Sequence, residues 1–163
     1  MADCPIALHF SGHGVQNTQK NIGQQYFFSK DKGNALILED SVGKAEYFFE
    51  SELKFMIKEM NNPFEVVFVS SCHSQFAGEI FINAGAKHVI CIKQEFKISD
   101  AASLKFSSVF YESLFDKGMS VCQAFNIAKK EVESEINISE ANKFKLLLPN
   151  NDNDTDSMMS DLD

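Results

Sequence analysis

His13 and Cys72 are the residues whose types and settings could do chemistry together. His13 sits in "HFSGHG" (9–14), between Gly12 and Gly14, directly after the apolar run "IALHF" (6–10). Cys72 sits in "VVFVSSCHS" (66–74), again directly after an apolar run. A thiol attacks a carbonyl only as thiolate, and a nearby imidazole can take its proton or stabilise the anion. Glycine after the histidine lets a backbone N–H approach a reacting carbonyl without a Cβ in the way. Gly14 and Cys72 N–H groups are therefore candidate oxyanion donors, each worth roughly 3–4 kcal/mol in enzymes that use them.

The other reactive types have plainer readings. Cys91 and Cys122 lie in apolar stretches and read as small buried hydrophobes, whereas Ser71, His73 and Ser74 surround Cys72 with polar groups. Cys4 completes the set of four; no CxxC pair or zinc spacing occurs, so no metal is expected. His9 reads as a core or cleft-wall histidine and His88 as structural. No P-loop, GxGxxG or HExxH is present, and no cofactor is expected.

The elements that must position His13 and Cys72 follow from the apolar pattern. Residues 6–10 and 65–71 read as buried strands, as does "HVICI" (88–92), with "FKLLLP" (144–149) as a final strand. "YFFS" (26–29) and "NALILE" (34–39) around "KDKG" predict a hairpin. Phe49, Leu53, Met56, Ile57 and Met60 recur at helical spacing and predict one helix over 44–60, ended by Asn61-Asn62-Pro63. A short helix over 74–86 ends at Gly85. Ser99 reads as the N-cap of a helix carrying Phe106, Val109, Phe110 and Leu114, stopped near Gly118. Ser120 and Gln123 form a capping box for the next helix. Alternating apolar strands and helices predict an α/β layered fold with a largely parallel sheet. Sites in such sheets lie beyond the carboxyl ends of the strands, which is where His13 and Cys72 fall.

Bulk composition narrows the function. The 163 residues suit one domain, expected over 1–149. Residues 150–163 hold five Asp and no Lys or Arg, and read as an acidic disordered tail. They account for five of the net charge of −8, so the rest is only mildly acidic and no nucleic-acid partner is expected. No apolar run has the length of a membrane helix and no signal segment opens the chain, so a cytoplasmic protein with reduced thiols is expected.

"HFSGHG", "VVFVSSCHS", "AGAKHVICI" (84–92) and "ISDAASLKFSSVFYESLFDKGMSVCQAFNIAKKEV" (98–132), in this order, resemble the CHAT family of caspase-like cysteine peptidases, whose wider relatives are caspases and separases. The resemblance covers residues 6–148 and implies a three-layer sandwich with a mostly parallel central sheet. It implies a cysteine endopeptidase with Cys72 as nucleophile, His13 as imidazole and Gly14 as oxyanion donor. Asp100 matches an acidic position that helps receive a basic side chain of a protein or peptide substrate. Where the family has an acidic residue and then Ser-Gly after the cysteine, this chain has His73-Ser74-Gln75, which makes His73 a second substrate-binding candidate. A caspase-like domain also has elements before the histidine strand. Here residues 1–5 alone precede it, so the domain is expected to be incomplete at its N-terminal side. The alternative expectation is a catalytically inactive caspase-like interaction or regulatory module, whose uncovered sheet edge takes a second copy or a partner chain. A generic small-ligand α/β domain would need a phosphate-binding loop, and none is visible.

Overall fold

The computed structural model describes residues 7–16, 33–60 and 64–149. The expected tail over 150–163 and the proposed strand 26–29 lie outside the described residues. Strands β1 (Ala7–Ser11), β5 (Val66–Ser70), β6 (His88–Ile92) and β7 (Phe144–Leu147) form one sheet in the order β1-β5-β6-β7. The first three are parallel and β7 runs antiparallel to β6, so the sheet is mostly parallel, as expected.

Every residue of β5 is buried, because each face of the sheet carries helices. Val67 and Val69 of β5, with Val89 and Cys91 of β6, face α1 (Glu50–Lys58) and α2 (Gln75–Asn83) through Leu53, Ile57, Phe76, Ile80 and Phe81. Val66, Phe68, Ile90 and Ile92 face the other way. They pack on Phe106 and Phe110 of α3 (Asp100–Tyr111), on Ala124, Phe125, Ala128 and Val132 of α4 (Val121–Glu135), and on Ala141 of α5 (Ile138–Ala141). The period-2 alternation of the strands thus feeds two cores, and the molecule has three layers. Phe106 stacks on Phe144 at 4.0 Å between centroids, tying α3 to β7.

The caps follow the sequence. Ser99 Oγ accepts from Ala102 N–H, and Ser120 exchanges bonds with Gln123. A π-helical turn over Glu112–Asp116 ends the run begun by α3, and Gly118 follows at φ 64°.

Two expectations are corrected between 34 and 60: residues 35–39 pair with other strands than the expected hairpin partner, and the helix does not begin at 44. Residues 45–49 are not helical. They form β4 (Ala45–Phe49), which pairs with β3 (Ala35–Glu39), while β2 (His13–Val15) pairs on the other side of β3. The Asp40 carboxylate accepts from Val42 and Lys44 N–H, and Gly43 adopts φ 81°, so a tight Asx-type turn joins β3 to β4. "AEYFF" then gains a ladder with "ALILE", and its aromatic residues suit a pleated surface better than a helix. The helix starts at Glu50 and buries Leu53 and Ile57 alone, while Met56 and Met60 stay exposed. Cys122 is also corrected: it is exposed near the start of α4, on the face turned from the core.

Candidate active site at the ends of β1 and β5

Register places the two motifs together. Ser11, the last residue of β1, is level with Ser70, the last residue of β5, and the two strands are direct neighbours. His13 and Cys72 each follow two residues later. Neighbouring strands lie about 5 Å apart, so both turns leave the sheet at one corner.

Gly14 makes that closeness concrete. A Cβ built on it would fall 1.9 Å from the Cys72 carbonyl oxygen and 2.6 Å from Ser71 Oγ. Any residue but glycine would collide with backbone there. The glycine after the histidine is therefore required by a close approach to the cysteine turn, which the sequence alone could not distinguish from a simple tight turn. His13 is exposed, and it lines a cavity of about 410 Å³ with Ser11, Gly12, Ile37, Leu38, Glu39, Gly43 and Ala45.

Cys72 is half-buried, and its Sγ donates at 3.8 Å to the Ile98 carbonyl oxygen, not to His13. His73 takes φ 54°, a left-handed conformation that costs a non-glycine residue about 1–2 kcal/mol. It is held there from both ends: its N–H donates to Phe96 O at 3.0 Å, and its Nδ1 lies 2.7 Å from Gln94 O, so Nδ1 carries the proton. At 6% exposure this ring is a floor of the turn. Its N–H is spent on Phe96 O. Ser74 Oγ donates to Val69 O and accepts from Ile92 N–H, bridging β5 and β6.

The segment 93–99 is the part that sequence reading missed. The carbonyls of Gln94, Phe96 and Ile98, at alternate residues, all point at the Cys72–His73 turn. Backbone carbonyls carry no residue-type signal, so only the fold reveals them. Gln94 also accepts from Phe76 N–H through Oε1, at the start of α2, and donates from Nε2 to Asn34 Oδ1. Asp100 is exposed as the first residue of α3, two residues beyond Ile98.

The remaining candidates separate cleanly. Cys91 is buried in the sheet, and burial pushes its thiol up to about 12. His88 Nδ1 lies 3.1 Å from Glu65 O. His9 Nδ1 lies 2.6 Å from Tyr111 Oη, its ring 4.9 Å from Phe68, and burial lowers its pKa. Among the described residues no group of three His, Cys, Asp or Glu could hold a metal ion, and no helix is long and apolar enough to cross a membrane.

No protein-family model matches the chain, and no curated protein matches it.

Proposed function

We propose that the protein is a cysteine-type endopeptidase of caspase-like architecture, with Cys72 as nucleophile and His13 as general acid and base. One observation carries the reading: the Gly14 backbone packs directly on the Cys72 carbonyl, which brings the histidine and cysteine turns to one corner. The order of elements, the mostly parallel sheet and its two helical layers support it as well.

In this reaction His13 takes the Cys72 proton and the thiolate attacks the peptide carbonyl carbon. The C–S bond forms as the carbonyl electron pair moves to oxygen, and N–H groups of Gly14 and Cys72 receive that charge. His13 returns the proton to the leaving amine. Water then hydrolyses the thioester, with His13 accepting its proton, and the thiol is regenerated. Asp100, exposed on α3, is the group available to a basic substrate side chain. No step needs a cofactor, and a cytoplasmic location suits a free thiol.

Incubating the purified chain with a peptide library, beside a Cys72→Ala variant, tests the proposal. Cleavage by the parent and none by the variant is expected. Cleavage that survives in the variant overturns it.

A second reading is an inactive caspase-like interaction module. The Cys72 bond to Ile98 O favours it, as do the exposed residues Ala7, His9 and Ser11 of edge strand β1. A parent chain that cleaves nothing and elutes as a dimer supports this second reading.

A further inference from the structure

The segment that faces Cys72 is clamped at its far end by a residue outside the corner. Glu140, in α5, turns one carboxylate oxygen to Ser99, accepting from both its N–H and its Oγ–H at 3.1 Å. Its other oxygen pairs with Lys143 Nζ. The backbone of that lysine is tied in too, since Lys93 N–H donates to Lys143 O at 2.9 Å. Segment 93–99 is thus fixed to residues 140–143 at both ends, with Gln94 pinning it to α2. Burial pushes the Glu140 carboxyl up, but hydrogen bonds from Lys143 and Ser99 outweigh it and hold the group below its ordinary value. It is therefore a carboxylate at neutral pH.

Ser99 follows Ile98, whose carbonyl oxygen accepts from the Cys72 thiol. A carbonyl acceptor satisfies the protonated sulfur and offers nothing to a thiolate. Where residue 99 is held, the carbonyl of residue 98 is held as well. We infer that Glu140 is a positioning residue for Cys72: by fixing Ser99 it keeps the Ile98 carbonyl on the thiol and holds the site in a guarded state. This rests on the proposed role of Cys72 as nucleophile, but the clamp itself is a statement about the thiol. Release of Ser99 frees the thiol from the Ile98 carbonyl.

The test is the alkylation rate of each cysteine in the full chain, read by mass spectrometry with iodoacetamide as the probe. Glu140→Ala is expected to speed Cys72 labelling roughly three- to fivefold, the value of one weak hydrogen bond. Glu140→Gln keeps an oxygen for Ser99 and is expected to restore the parent rate. Buried Cys91 must stay unlabelled throughout, which separates release of the clamp from general loosening. A Cys72 rate unchanged in Glu140→Ala, or raised equally in Glu140→Gln, overturns the inference. Amide exchange at Ser99 in the unaltered chain provides a measure that needs no variant. Protection is expected, and exchange at the rate of a free amide overturns the clamp. If Cys72 labelling follows Glu140 while neither the parent nor Glu140→Ala cuts a peptide, the clamp stands and the peptidase reading falls.

Discussion

A Cβ at Gly14 would lie 1.9 Å from the carbonyl oxygen of Cys72. That contact joins a residue of a three-stranded antiparallel sheet to the turn after a central strand of another sheet.

Gly14→Ala cannot be absorbed by a flexible side chain, because the opposing atom is backbone. The substitution is expected to push β2 off the turn and to cost on the order of 2 kcal/mol, the range of overpacked interiors. Urea denaturation measures the loss, and wild-type stability in the variant contradicts the contact.

Iodoacetamide discriminates among the described cysteines. Cys91, buried with its thiol pushed up to about 12, is expected to stay silent in the folded chain. His13→Ala is expected to lower peptide cleavage at least about 100-fold, as loss of a general acid–base group does. Cleavage within a fewfold of the parent removes His13 from the mechanism.

At His73 the usual order of substitutions is reversed. Both Ala and Gly lose the bond to Gln94 O, but only Ala keeps the left-handed strain at φ 54°. His73→Gly is expected to be more stable than His73→Ala by about 1 kcal/mol. Equal unfolding midpoints would show that the turn relaxes in both.

His9 makes stability depend on pH. His9 is exposed overall, but the side of its ring packed on Phe68 and Tyr111 is desolvated, which lowers its pKa below the ordinary 6.5, so the folded state binds its proton less readily than the unfolded chain does. The contribution is therefore complete above about pH 6.5 and is lost as pH falls through the lower folded value. His9→Phe is expected to flatten that part of the profile. Thermal unfolding from pH 7.5 to 5 checks it, and an identical slope in the variant rejects it.

The strands and helices of the main sheet were legible because their patterns are local. "VVFVS" and "HVICI" are too uniformly apolar for any place but a sheet covered on both faces, and Ser99 and Ser120 cap the helices they precede. "AEYFF" misled because Phe49 continues the helical spacing of Leu53 and Ile57, while the β3–β4 turn that claims it is a matter of pairing. Cys122 misled because an apolar neighbourhood in sequence does not say which side of a helix faces the core.

The sequence by itself determined which residues could react: a histidine between glycines and a cysteine among serines, each at the end of an apolar run. These are properties of residue type and near neighbours. Only the tertiary structure decided that Ser11 and Ser70 share a register, that Gly14 must lack a side chain, that Ile98 O meets the thiol, and that Glu140, 68 residues beyond Cys72, accepts from Ser99. Those are contacts between distant segments, made partly by backbone atoms that every residue carries, and no local pattern encodes them.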